Sequence, residues 1–222
     1  ELRPRQTAAM PEVAESHWYN PNLDYRWFTM PALVALISAL LVLAISLQSV
    51  ARERELGTWD ELKILPLQPV EVLIGKVIPA FLMGLVNSAI YIILIPVFYG
   101  VPLHGSLPLL FLSIFAFSLS LTGIGLAIST ISRTQQQAFL GGYMVMVPLI
   151  IISGFTSPVD NMPMWLQWAA QANPIYHMIV ISQGVFLKDL PPTVIFDHVW
   201  PMLLVALVTL STAYRLFRSR ID

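Results

Sequence analysis

The 222-residue chain is 56% hydrophobic and only 11% charged, too apolar a composition for a soluble domain. Its 12 Lys and Arg against 13 Asp and Glu leave a net charge of −1, and no basic run offers a surface for nucleic acid. The absence of cysteine excludes disulfides and thiolate-bound metals.

Residues 1–27 are polar, begin with Glu1 and carry Pro4, Pro11 and Pro21. They contain no positive-then-apolar leader and read as the end of an extracytoplasmic domain, on a chain expected to lack its true N-terminus. From residue 28 onward the sequence reads as a transmembrane domain, because several runs reach the roughly 20 apolar residues that cross a hydrocarbon core. The first span runs from about Phe28 to Val50, without an ionisable residue. A loop over 51–76 follows, then a second span from about Val77 to Tyr99 with Asn87 and Ser88 at its middle. The third span, about Leu107 to Ile131, includes Ser118, Ser120, Thr122, Gly123 and Gly125, small residues that let helices approach closely in lipid. The fourth covers about Ala138 to Phe155 around Pro148.

An outer helical element is predicted over 158–190. Asn161 before Pro163 signals a helix start, and Trp165, Leu166 and Trp168 give that helix an interfacial face. Asn173-Pro174 breaks it, and the apolar run Ile175–Leu187 is too short to cross and reads as re-entrant or interfacial. The last span, about Val194 to Leu216, starts with Asp197 and His198 at headgroup level and Trp200 as an aromatic anchor. Five crossings with the N-terminus out and the C-terminus in place Arg52, Arg54, Lys63, Lys76, Arg133, Arg215, Arg218 and Arg220 on the cytoplasmic side. Only Arg3, Arg5, Arg26 and Lys188 fall outside, in keeping with the positive-inside rule. The fold class is therefore all-α and membrane-spanning.

The loop after the first span concentrates charge from Arg52 to Lys63. Leu56, Trp59, Leu62 and Leu65 recur every three residues, which predicts a short amphipathic helix with one apolar side. Gly57 weakens that helix near its start, and Pro66 and Pro69 stop it. A helix of this kind lies at the inner membrane surface and presents charge and one Trp to the cytoplasm.

The order of residues here, Glu53-Arg54-Glu55 followed by Gly57-Thr58 and Leu62, then Leu65-Pro66-Leu67, Glu71 and Gly75-Lys76, resembles the cytoplasmic loop of type-2 ABC transporter permeases. Tyr19-Asn20-Pro21 before the first span looks like the same family. So do Ser153-Gly154, Pro158, Met162-Pro163, Trp165-Leu166-Gln167 and Asn173-Pro174 in the outer element, and the basic ending Arg215, Phe217 and Arg218. The resemblance covers about residues 17–220 and is strongest to the bacterial drug-export branch. Pro31-Ala32 departs from the family's usual Gly after that Pro, and the family's own first span and much of its outer domain are missing.

The resemblance implies a permease subunit in the inner membrane that pairs with a second permease, identical or not. The ATP-binding subunit is separate and contacts the loop through a coupling helix. The contact set it implies is Arg52, Glu53, Arg54, Glu55, Gly57, Thr58 and Glu61, with charged members making ion pairs to the ATPase and Gly57 and Thr58 permitting close approach. ATP and Mg belong to that partner, since this chain has no P-loop, and no cofactor is expected on the chain itself. The cargo implied is apolar or amphipathic, and drugs fit that description.

An ion-coupled secondary transporter is the rival reading, and it lacks the midplane ionisable residue that coupling needs. The mid-span polar residues Asn87, Ser88, Ser118 and Thr122 are the candidates for a translocation path, although bonds across helices or back to their own carbonyls account for them better. An intramembrane enzyme has little to work with: Ser153 lacks a His partner, His177 and His198 read as outer surface histidines, and His17 and His104 as loop residues. No catalytic or metal-ligating set is expected.

Overall fold

The computed structural model describes residues 24–59, 61, 66 and 68–221, the last two by backbone alone. The family signature at Tyr19-Asn20-Pro21, and Asp60, Leu62, Lys63 and Leu65 of the charged loop, lie outside the described residues. Seven α-helices follow one another among the described residues: α1 (Tyr25–Leu56), α2 (Pro69–Tyr99), α3 (Leu107–Ile131), α4 (Gln135–Ile151), α5 (Met164–Gln171), α6 (Pro174–Leu187) and α7 (Pro192–Ile221). A 3-10 turn at Val159–Asn161 precedes α5, and no strand occurs among the described residues.

Among the described residues, four helices are long and apolar enough to cross a membrane: α1, α2, α3 and α7. The third matches the predicted bounds Leu107–Ile131. α4 has 17 residues and ends at Ile151 rather than Phe155, a rise of about 25 Å that falls short of the hydrocarbon core unless the following turn completes it.

Two boundaries differ from the sequence reading, and both enclose the charged loop. α1 continues past Val50 through Arg52, Glu53, Arg54 and Glu55 and stops at Gly57, whose φ of 78° and N–H bond to the Arg54 carbonyl (3.3 Å) make a left-handed cap. α2 begins at Pro69, eight residues before the expected start, with the Gln68 N–H donating to Glu71 Oε2 at 2.9 Å. Pro69 therefore opens a helix rather than closing one, the N1 role for which its fixed φ and missing N–H suit it.

α1 and α3 form the centre of the bundle. α3 packs along α7 on one side and along α1 on the other, and α1 also meets α2, α4 and α6. Small residues set these crossings. A Cβ on Gly123 would fall on Thr209 and the Leu210 backbone of α7, and one on Gly142 would fall on Leu47 of α1. α6 is no surface element: Ile175, His177, Met178, Ile181, Val185 and Phe186 are all buried, and the helix wedges against α1, α3 and α7. Asn173 caps it by accepting from the Ile175 N–H (3.0 Å) and donates its own amide to the Leu149 carbonyl of α4 (2.7 Å). α5 instead leaves Met164, Trp165 and Trp168 exposed, in line with its predicted interfacial face.

Candidate functional site

At the C-terminal end of α1 the chain builds a joint out of the charged loop. Glu53 makes an ion pair with Lys76 of α2 at 2.6 Å, and the same ammonium donates to the Ser49 carbonyl at 3.2 Å. Arg54 reaches the opposite way, donating to the Ser132 carbonyl after α3 (3.1 Å) and lying over the Trp59 ring at 4.8 Å. Glu55 accepts from the Gln135 N–H at 2.8 Å, so a carboxylate of α1 caps the N-terminus of α4. Thr134 adds its own cap to the Gln137 N–H at 3.2 Å.

One turn deeper, Ser129 of α3 accepts from the Val50 and Ala51 N–H groups (3.0 Å each) and donates to the Leu47 carbonyl (2.6 Å). This hydroxyl satisfies backbone of α1 where apolar surroundings offer no water. Trp59 turns inward and is buried against Phe217 of α7, edge to face at 5.1 Å, among Val50, Leu73 and Ala213. Three consecutive charged residues thus tie α1 to α2, to the α3–α4 turn and to α4, and the Trp that follows ties the loop to α7.

These contacts divide the predicted contact set in two. Glu53, Arg54 and Glu55 have partners inside the chain. Arg52, Gly57, Thr58 and Glu61 are exposed around the joint, with the Thr58 hydroxyl donating to the Glu53 carbonyl at 3.3 Å. The expected shared apolar side of Leu56 and Trp59 does not form: Leu56 is 63% exposed on α1 while Trp59 is 8% exposed. The left-handed residue Gly57 redirects the chain between them, so periodicity counted across it has no meaning. Trp59 is a core residue, not one presented to the cytoplasm.

The mid-span polar residues sit inside the subunit. The Asn87 amide donates to Ser38 Oγ of α1 at 3.0 Å, and Ser38 and Ser88 share a bond of 2.9 Å. Ser118 and Thr122 are fully buried on α3, without hydrogen-bond partners for their hydroxyls among the described residues.

The reading of His177 as a surface residue is overturned, while His198 is half-buried. His177 is 1% exposed, and its Nδ1 lies 2.8 Å from Nδ1 of His198, while its Nε2 lies 2.8 Å from the Gln171 carbonyl. A carbonyl only accepts, so Nε2 of His177 carries a hydrogen, its Nδ1 accepts in the neutral ring, and His198 Nδ1 donates. The pair therefore links the end of α5, the start of α6 and the start of α7 through one shared proton. Tyr176 stacks edge-on to both rings at 5.2 and 6.1 Å. No cluster of three His, Asp or Glu side chains able to hold a metal occurs among the described residues.

Sequence reasoning missed Lys76 as a partner, along with Ser129 and Phe217. Lys76 carried a signal, being the lone cation in the first turns of an apolar helix. Ser129 and Phe217 carried none that local pattern could reveal.

The arrangement defines a class: a polytopic helical membrane protein whose first described helix ends in a charged joint. The chain belongs to the ABC-2 transporter family, whose profile, described as ABC-2 family transporter protein, matches residues 3–215. It is 41% identical over 95% of its length to the Probable multidrug ABC transporter permease YbhR of Escherichia coli strain K12, of which the match covers 57%. It is 33% identical over 84% of its length to the Inner membrane transport permease YhhJ of the same strain, covering 49% of that protein. ABC transporter G family member 20 of Dictyostelium discoideum is 26% identical over 88% of the chain and 26% of its own length. The chain thus spans about half the length of the bacterial relatives it matches.

Proposed function

We propose that this chain is the membrane-spanning part of an ABC exporter permease of the bacterial inner membrane, driven by ATP hydrolysed on a separate subunit. It works as one of two permease subunits and moves apolar or amphipathic molecules, drugs among them, from the cytoplasm or inner leaflet. Five crossings, with α4 completed by the turn after Ile151 and α6 re-entrant from the outside, put the joint in the cytoplasm and the histidine pair at the outer face. The outer element then stands where exported cargo leaves.

The observation that carries this reading is the joint. A soluble motor acting on a membrane bundle needs an exposed contact that is rigidly tied to several helices, and this is what the end of α1 supplies. Arg52, Gly57, Thr58 and Glu61 form the exposed contact, and Glu53, Arg54, Glu55 and Trp59 pass a displacement to α2, α4 and α7. Names of the relatives and the family profile support the same assignment.

The test uses the full-length permease and its ATP-binding partner in proteoliposomes. Export is expected to stop when the partner's hydrolysis is abolished and to continue when the proton gradient is collapsed. Reversing the exposed charges, Arg52→Glu with Glu61→Lys, is expected to leave ATP hydrolysis running without export. Export that persists without hydrolysis and fails with the proton gradient would instead establish an ion-coupled carrier.

A further inference from the structure

Between the last turns of α1 and the first turns of α2 lies an open cleft of about 490 Å³, bordered by the Glu53–Lys76 ion pair. Ile45 and Pro79 give it apolar surface, and Gln48 and Ser49 give it polar surface. Neither the Gln48 amide nor the Ser49 hydroxyl meets a hydrogen-bond partner among the described residues. On the α2 side the cleft is bordered by Gly75. Pro79, four residues on, has no N–H, so the Gly75 carbonyl lacks its usual helical donor. A Cβ on Gly75 would meet nothing within 4 Å, so the missing side chain keeps that part of the cleft open. Glu53 and Lys76 offset each other at 2.6 Å, and Arg52 stands exposed beside them. Because the apolar run of α1 ends at Val50, the cleft straddles the edge of the lipid-facing surface.

An amide, a hydroxyl and a carbonyl without protein partners, set beside apolar surface, match a molecule with a hydrogen-bonding head and an apolar body. We propose that this cleft is the entry site for exported cargo: amphipathic molecules whose uncharged head carries both donors and acceptors. The head meets Gln48, Ser49 and the Gly75 carbonyl, and the body lies along Ile45 and Pro79. Arg52 supplies the one charge at the cleft that no neighbouring lining residue offsets, which disfavours a cationic head. Cargo held here touches both helices that the Glu53–Lys76 pair joins, so its arrival bears on the joint from within the bundle. That the occupant is exported, and that the joint answers to ATP, rest on the exporter assignment; the binding itself does not.

The experiment places the full-length permease and its ATP-binding partner in phosphatidylcholine nanodiscs. Two dansyl-labelled ten-carbon chains serve as probes, one ending in a primary amide and the other in trimethylammonium. Dansyl anisotropy above that of empty nanodiscs reads binding. The amide probe is expected to bind, and the ammonium probe to bind about fivefold more weakly. Gln48→Leu is expected to weaken the amide probe about fivefold, by removing one hydrogen-bonding group, and Gly75→Leu to abolish binding by filling the cleft. A melting scan checks that each variant is folded, and Gln48→Leu alone decides the case should Gly75→Leu fail that check. Anisotropy equal to that of empty nanodiscs, or binding untouched by the substitutions, overturns the site and leaves the probe in bulk lipid. Equal binding of the two probes overturns the choice of an uncharged head. The amide probe is also expected to stimulate ATP hydrolysis, and binding without stimulation refutes the effect on the joint. Binding that obeys the substitutions in a protein whose export ignores ATP refutes the motor reading and leaves the entry site standing.

Discussion

Glu53 and Lys76 offer a discriminating test of what the charges of the joint do. If Glu53 acts toward a partner subunit, reversing its charge is damage that no change on α2 repairs. If it acts as the strut seen here, exchanging the two charges restores function. At 2.6 Å, with Lys76 9% and Glu53 30% exposed, the attraction is of order 4–6 kcal/mol at an effective dielectric of about 20, and desolvation offsets much of it. Removing one partner of a buried pair costs roughly 3–5 kcal/mol, and the partial exposure of Glu53 lowers this to about 2–3 kcal/mol. That cost shifts the equilibrium holding α1 on α2 by roughly 30- to 150-fold. Glu53→Lys and Lys76→Glu are each expected to lower the thermal stability of the reconstituted complex and its export per ATP. The double exchange is expected to recover most of both. A double exchange no better than the worse single change would refute the strut and return Glu53 to the partner's surface.

Three further outcomes follow from the packing. Gly123→Ala is expected to destabilise the bundle by about 1–3 kcal/mol, because its Cβ meets Thr209 and the Leu210 backbone, while Gly75→Ala, with nothing within 4 Å, is expected to be neutral or slightly stabilising in the same melting assay. Ser129→Ala removes a hydroxyl that serves two N–H groups and a carbonyl of α1, a loss of about 1 kcal/mol read by thermal unfolding; no change would show that α1 satisfies those groups alone. The histidine pair holds one shared proton, and a second places two N–H groups head to head, so hydrogen-exchange protection of α5 and α6 is expected to be lower at acid pH than at neutral pH. His198→Asn sets an amide in place of Nδ1 and is expected to remove that response; an acid response that survives the substitution would locate it elsewhere.

Hydropathy located the membrane helices because it reports where lipid begins and ends, and for α3 that coincides with the helix itself. At Val50 it does not: the hydrogen-bond ladder of α1 runs on through Arg52–Leu56, since charge ends a lipid-facing surface and not a helix. The stop is Gly57, a single residue whose left-handed conformation was readable as a C-cap only once the helix was known to reach it. Pro69 was readable by the same rules and was assigned the wrong end of a helix. The family resemblance identified the charged segment but could not say which way its side chains point. Arg54 and Glu55 meet Ser132 and Gln135, about eighty positions away, and no local pattern encodes such a meeting. His177 looked like a surface residue for a related reason, its partner lying 21 positions on, in another helix.

α1 is unbroken from Tyr25 to Leu56, 32 residues and about 48 Å, with Pro31 in its second turn. Near its N-terminal end the Phe28 carbonyl accepts from the Gln183 amide of α6 (3.1 Å), and near its C-terminal end Glu53 grips Lys76. Both fastenings hang on the same rotational phase. Inserting one residue between them would turn one end by about 100° against the other, so that at most one fastening could be kept. Length along this helix is therefore constrained far more tightly than side-chain identity. A rotation imposed on α1 at Glu53 is therefore carried toward Gln183 of α6, with Pro31 lying between the two fastenings.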